Sequence, residues 1–259
     1  MVARPRVRDL KLEGLGVVLP DMHLPHETVR PALAAALDAI KRLRPAFVLD
    51  TGDGSEFQGF SSYADPKKGL ESVEDEARKA AQVYREIRAA MPPKARLIVL
   101  EGNHETRPTR WCLEHAPQLV ASFWVPRLLD LQGVGAEWIP QDEQPIAVGS
   151  LLCIHGNQLG KTVQPAVKFL KNYGASGFFG HYHSLQIATG YTYAGGLQIA
   201  TALPCLRTLD PAFMGGPSTP NRWINGFGVV TIPKRGRSAV DAVVVEEGRG
   251  VYAGQAFGG

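Results

Sequence analysis

The sequence predicts an α/β fold, a four-layer α/β/β/α sandwich of two mixed sheets flanked by helices. Three observations carry that expectation. In the first half, short apolar runs alternate with longer stretches of helical periodicity, the pattern of a parallel sheet with helices on its faces. The second half is crowded with short strand-like runs, enough for a further sheet. Polar residues able to bind metals stand directly after the apolar runs, where open α/β sheets place their ligands.

Taken in order, residues 14–20 form the first buried-strand candidate. Residues 27–43 carry Val29, Leu33, Leu37 and Ile40 at helical spacing. Residues 46–49 are the second strand. Residues 70–90 predict a long charged helix with Val73, Ala77, Ala80, Val83, Tyr84 and Ile87 on one face, and Pro92–Pro93 ends it. Residues 96–100 make the third strand, and residues 117–131 a helix that Pro126 interrupts. Residues 146–154 read as a hairpin turning at Gly149–Ser150, and 163–173 as a helix. Residues 177–179, 185–192, 197–201, 228–232 and 239–246 are strand-like. Residues 209–225 read as a long irregular loop, and the Gly-rich stretch after Gly248 as a frayed, flexible tail. The whole of 1–259 is expected to form a single domain.

Composition sets limits without naming a function. With 44% hydrophobic and 20% charged residues the chain has the balance of a globular protein. Its formal charge of +3 supplies no strong electrostatic argument for a nucleic-acid binder, although a local basic patch can sit within a balanced total. The three cysteines, Cys112, Cys153 and Cys205, are an odd number at wide spacing, so neither a disulfide framework nor a CxxC metal motif is expected. The expected setting is reducing and cytoplasmic. No apolar stretch has the length of a signal-peptide core or a membrane span, so no membrane partner is expected.

The chemistry lies in five short motifs. The first strand run leads into Asp21-x-His23, and the second into Asp50-x-Gly52-Asp53. The third leads into Glu101-Gly102-Asn103-His104-Glu105, and later runs into His155-Gly156 and Gly180-His181-x-His183. Carboxylates and neutral imidazoles are ligands for borderline divalent metals, and an Asn side chain adds a carbonyl oxygen. Asp21, His23, Asp53, Asn103, His155, His181 and His183 exceed what one tetrahedral zinc site needs. They suit two divalent ions sharing one carboxylate, a pair about 3.5–4 Å apart that clamps the oxygens of an in-line displacement at phosphorus. The ligand types suit Mn2+ first, with Fe, Zn, Ni or Co as the other candidates.

In this order, DxH, GD, GNHE, HG and GHxH resemble the motifs of the calcineurin-like metallophosphoesterase superfamily. Residues from Tyr63 through His115, and Trp223 to Phe227, look like its bacteriophage-type and bacterial branch. The resemblance implies that Asp21, His23 and His183 hold one metal, that Asn103, His155 and His181 hold the other, and that Asp53 bridges them. It implies His104 as the group beside the leaving oxygen, acting as general acid, and a metal-bridging hydroxide as nucleophile. The chain departs from the common pattern where Gly52-Asp53 is followed by Gly54-Ser55-Glu56, so that Glu56 stands where an outer carboxylate is usual. It also lacks the GDxVDRG context of protein phosphatases, which argues against protein dephosphorylation.

Each motif alone has a bland reading: a polar strand end, a turn cap, a satisfied buried histidine. Five coincidences at five strand ends are needed to sustain all of them together. His26 and Arg107 are expected at the substrate, against the alternatives of a structural histidine and a solvated helix start. Asp50 either orients a ligand histidine or closes its turn. Trp111, Trp124, Trp138 and Trp223 are expected in core or lid packing. The activity that follows is a metal-dependent phosphoesterase, with phosphodiesters preferred and small phosphoesters or nucleotides as substrates. A phosphomonoesterase, a nuclease acting on nucleic acid, and a non-catalytic metal-binding scaffold are the competing readings. A homo-oligomer built on exposed strands or on the 209–225 loop is compatible with the sequence.

Overall fold

Apolar runs of four to six residues become the inner strands of the computed structural model, which describes residues 7–61, 71–193, 196–209 and 222–259. In chain order the first half contains β1 (Arg8–Asp9), β2 (Gly14–Leu19), α1 (Arg30–Leu43), β3 (Phe47–Asp50), α2 (Val73–Ala90), β4 (Arg96–Leu100), α3 (Thr106–His115), α4 (Val125–Leu128) and β5 (Ala136–Ile139). The second contains β6 (Ile146–Val148), β7 (Leu151–Ile154), α5 (Pro165–Tyr173), β8 (Gly177–Phe179), β9 (Gln186–Thr192), β10 (Gly196–Ala202), β11 (Gly226–Ile232), β12 (Ala239–Glu246), β13 (Arg249–Tyr252) and β14 (Gln255–Phe257).

The strands form two mixed sheets. One has the order β14-β13-β12-β11-β2-β3-β4-β5, with β2 to β5 parallel and antiparallel pairing from β2 through β11 to β14. The other has the order β1-β6-β7-β8-β10-β9. Strand alternation sorts the core into layers. Val17, Leu19, Val48, Leu97 and Val99 pack on the buried stripes of α1 and α2. Val18, Phe47, Leu49 and Ile98 face Ile146, Val148, Cys153 and Phe178 of the opposing sheet. Ile154, Phe179, Ala200 and Ala202 pack on Ala166 and Phe169 of α5. The order is helix, sheet, sheet, helix, as the sequence predicts.

Helix α2 is fixed at its start by Ser72, whose hydroxyl accepts the Asp75 N–H at 3.1 Å, and by Glu74, Asp75 and Glu76 in its first turn. Helix α1 starts at Arg30 rather than at Glu27, with Pro31 in its first turn. Thr28 instead bridges to Arg207 in an extended segment. The 117–131 helix is not continuous. It resolves into a 3-10 turn at Pro117–Leu119 and the short α4, because Pro126 belongs at a helix start and not in an interior.

The frayed, flexible tail is corrected. Residues after Gly248 form β13 and β14, which extend the eight-stranded sheet. Phe257 is fully buried with the Arg42 guanidinium 4.8 Å over its ring, and Arg42 donates to the Ala256 carbonyl at 2.5 Å. The glycines there serve the turns: Gly248 and Gly254 have φ of 77° and 75°. The expected 209–225 loop falls mostly on residues 210–221, outside the described residues.

Candidate metal centre

All five motifs arrive at one edge of the sandwich. Asp21 and His23 follow β2, Asp53 follows β3, and Asn103 and His104 follow β4, all in the eight-stranded sheet. His155 follows β7 and His181 and His183 follow β8, in the six-stranded sheet. The cluster therefore lies at the carboxyl ends of strands from both sheets.

The ligand-competent atoms converge. His23 Nε2 is 3.3 Å from His183 Nε2, which is 3.4 Å from an Asp21 oxygen. His155 Nε2 lies 3.3 Å from Asp53 and 3.0 Å from the Asn103 side-chain oxygen. Three groupings each have atoms mutually within 4.8 Å: Asp21 with His23 and His183, His23 with Asp53 and His104, and Asp53 with His155 and His181. Asp53 belongs to two of them, so its carboxylate reaches both halves of the cluster.

The surrounding shell sets which nitrogen faces inward. His23 Nδ1 meets the Glu56 carboxylate, and His155 Nδ1 donates to the Thr51 carbonyl at 2.9 Å. That leaves Nε2 of both rings facing the centre, the orientation that metal-binding histidines need. The Asp21 carboxylate accepts the His181 N–H at 2.9 and 2.8 Å. Asp53 accepts the His104 N–H at 2.9 Å. The buried Glu105 accepts N–H groups of Asp53, Ser55 and Gly102 at 2.9, 2.8 and 2.9 Å, stitching the loop after β3 to the loop after β4.

These loops need unusual backbone. Asp21, His23, Asp53, His181 and His183 have φ of 47°, 49°, 52°, 69° and 56°, the left-handed region that side chains rarely adopt. Gly52 is fixed by both criteria for glycine. Its φ is 96°, and a Cβ there would meet the Gly102 nitrogen at 2.7 Å and His155 Nδ1 at 2.9 Å.

Electrostatics match a site for cations. Burial alone would raise the Asp53 carboxyl, but the imidazoles of His104 and His155 hold it well below its ordinary range. Glu56 is held low in the same way by His104 and His23. Burial, with Arg207 adding to it, lowers His23 to about 3. Burial and His155 lower His181 to about 4. Both rings are therefore neutral near pH 7, with lone pairs available. Burial also opposes charge on His155, but Asp53 outweighs it and raises His155 to about 9. Without a metal that proton neutralises Asp53; a cation and the proton would compete for one lone pair. The donor set fits divalent metals: buried oxygens and imidazole nitrogens face one another across a common space, and their outer atoms are already engaged.

Other candidates are placed as follows. Arg107 donates from Nη1 to the Glu56 carbonyl and carboxylate at 2.7 and 3.2 Å, and its Nη2 is 2.9 Å from His104 Nε2. His104 Nδ1 is 3.3 Å from Glu56, too poorly aligned for a full hydrogen bond. His26 Nε2 is 2.6 Å from Glu71, at a partly exposed position. Asp50 closes its turn, accepting from the Gly52 N–H at 2.9 Å and from the Tyr84 hydroxyl at 2.6 Å. The group that orients His155 is the Thr51 carbonyl. Core packing fails for Trp111 and Trp124, which are 39% and 55% exposed.

Two neighbours of the site, Glu105 and Arg207, carry no role in the sequence reading, and a third, Trp223, is expected there only in core or lid packing. Glu105 was inside the GNHE motif, so its signal was present. Arg207 is buried, 3.4 Å from His23 Nδ1 and 3.5 Å from Glu27, with its guanidinium 5.1 Å from the Trp223 ring. Trp223 in turn meets the His183 ring edge-on at 4.4 Å. The signal for Arg207 was a single charge closing the apolar run of residues 202–206.

The profile of the Calcineurin-like phosphoesterase family matches residues 17–185, from the first site strand to just beyond His183. The chain is also similar to the Gene 54 proteins of Mycobacterium phage L5 and Mycobacterium phage D29. It is 26% identical to each, over 234 and 233 residues, covering 83% of this chain and 88% of the relative in both cases. The matched span holds every one of the converging Asp, Asn and His side chains, and the chain belongs to the calcineurin-like phosphoesterase family of metal-dependent phosphoesterases.

Proposed function

We propose that the protein is a phosphodiester hydrolase using two divalent metal ions, with Mn2+ the expected pair. Asp21, His23 and His183 would hold one ion and Asn103, His155 and His181 the other, with Asp53 available to both. The observation that carries this reading is the double membership of Asp53, whose carboxylate is within reach of ligand atoms on both sides. When bound, the metals supply Lewis-acid charge at the phosphoryl oxygens and activate water for in-line attack.

The chain's own residues do the rest. Glu56 and Thr51 keep Nε2 of His23 and His155 turned inward. His104 sits at the rim of the cluster, 3.6 Å from Asp53, and protonates the departing alkoxide from Nε2. In the free protein Arg107 covers that nitrogen. Substrate phosphate draws the guanidinium onto its own oxygens and frees Nε2 to carry a proton, so Arg107 both clamps substrate and arms His104. His26, engaged with Glu71, takes no part in bond breaking and contributes at most to the outer wall of the substrate site.

The test is to strip the protein with chelator, restore Mn2+, and compare bis(p-nitrophenyl) phosphate with p-nitrophenyl phosphate, using Asp53→Asn to reveal contaminating activity. The expected result is metal-restored turnover favouring the diester and abolished in the variant. A monoester preference would change the reading to a phosphatase. Metal binding with no turnover of either ester would point to a scaffold.

A further inference from the structure

The six-stranded sheet ends in β9, whose hydrogen-bonded neighbour is β10 alone among the described residues. The β9–β10 hairpin has two different faces. Ala188, Ala200 and Ala202 pack toward α5. The opposite face carries Ile187, Tyr191, Leu197 and Ile199, exposed by 65%, 79%, 45% and 38%, with Tyr193 fully exposed just beyond. The register sets Leu197 beside Tyr191 and Ile199 beside Thr189, so these side chains form one patch. Through β8 this face is continuous with that of Phe178, which the eight-stranded sheet covers. The hairpin overhangs that cover.

Its composition is as unusual as its exposure. Residues 184–206 contain no Asp, Glu, Lys or Arg, in a chain that is 20% charged. Edge strands of monomers are guarded by charges, proline or bulges. β9 has none of these: its ladder to β10 runs unbroken from Gln186 to Thr192. The cation at its border, Arg237, donates to the Leu197 carbonyl at 2.5 Å and to the Ser176 hydroxyl at 3.1 Å, so this face offers a phosphate backbone or an acidic peptide one engaged guanidinium and no cluster of charge. A second copy of the same surface meets it without repulsion.

We infer that two copies of the chain assemble about a two-fold axis, with β9 of one pairing antiparallel to β9 of the other and the exposed apolar patch buried between them. An axis at Thr189 sets Ile187 opposite the partner's Tyr191, an aromatic to β-branched pair of the kind that stabilises antiparallel strands. The two tyrosines present roughly 150–250 Å² each. With the three aliphatic side chains and the strand edge, the face approaches the roughly 800 Å² per partner of a standard interface. The same register brings the partner's Tyr193 opposite Leu185. Leu185, with Ser184, Gln186 and Trp223, lines a groove of about 620 Å³ that runs from beside His183, so the contact forms part of one groove wall.

The test is sedimentation velocity on the full chain at micromolar concentration, together with one charge variant and one cross-link. A dimer is expected for the wild type. The Ile187→Lys/Tyr191→Lys double variant is expected to sediment as a monomer of half that mass, with an unchanged circular dichroism spectrum. Thr189→Cys is expected to form an interchain disulfide on mild oxidation, since the axis brings the two Cα atoms within disulfide range and the native cysteines are buried. The exposed Lys234→Cys should not cross-link. A monomeric wild type overturns the inference. So does a dimer that survives the double substitution and leaves Thr189→Cys unlinked. Should the double variant unfold, the Thr189→Cys cross-link alone decides.

Discussion

The Glu56 carboxylate shows how much one side chain can set. It engages Nδ1 of His23, lies 3.3 Å from Nδ1 of His104 and accepts from Arg107. Through these contacts it fixes a tautomer on one ring and the position of another. The acid role proposed for His104 has a sharp kinetic signature. His104→Ala is expected to slow diesters with alkyl leaving groups by about 10²–10⁴-fold and p-nitrophenyl esters far less, because a phenolate that is already stable needs little protonation. Steady-state rates across a leaving-group series check this; equal slowing throughout would remove the acid. The converging residues were legible because each occupies a short motif at a strand end. Arg207 and Trp223 were not, because they approach His23 and His183 only through tertiary packing, and no spacing links positions 23, 183, 207 and 223.

At the level of elements, the turn after β3 couples the site to helix α2. Tyr84 of that helix donates to Asp50, and both are fully buried. Burial raises the Asp50 carboxyl to about 7, and the Tyr84 and Gly52 hydrogen bonds offset that only in part. Between its ordinary value of 3.8 and about 7 the folded protein therefore keeps a proton that the unfolded chain has released. Stability should fall as pH rises through that window, by on the order of 1 kcal/mol or more. Asp50→Asn is expected to flatten that fall in chelator-treated protein, measured by denaturant midpoints across the window. An unchanged slope would mean another group titrates there. Long periodic helices such as α2 could be read from the sequence, since Ala77, Ala80, Val83, Tyr84 and Ile87 mark one stripe. Strands β1 and β5 could not. β1 is two residues long, and β5 is partly exposed at three of its four positions, so neither has an apolar run to detect.

Across the whole molecule, the last residues of the chain bear on the first helix. Phe257→Ala is expected to cost about 3–5 kcal/mol, read as a fall in Tm of order 10 °C. A frayed end would show no change, so thermal unfolding separates the two descriptions. Composition hid this element because glycine is common both in disordered tails and in the turns of tight hairpins. The layered architecture was readable because it follows from alternation and periodicity alone. The left-handed backbone at Asp21, His23, Asp53, His181 and His183 has a consequence at this scale. At roughly 1 kcal/mol for each non-glycine residue so placed, the five together amount to a sizeable share of the roughly 5–15 kcal/mol by which a typical domain stays folded. Glycine would relieve that burden at every one of these positions while deleting a side chain of the cluster. A laboratory selection that rewarded heat resistance alone would therefore be expected to drift toward a sturdier protein with a silent active site, and only a simultaneous demand for turnover would hold those five residues in place.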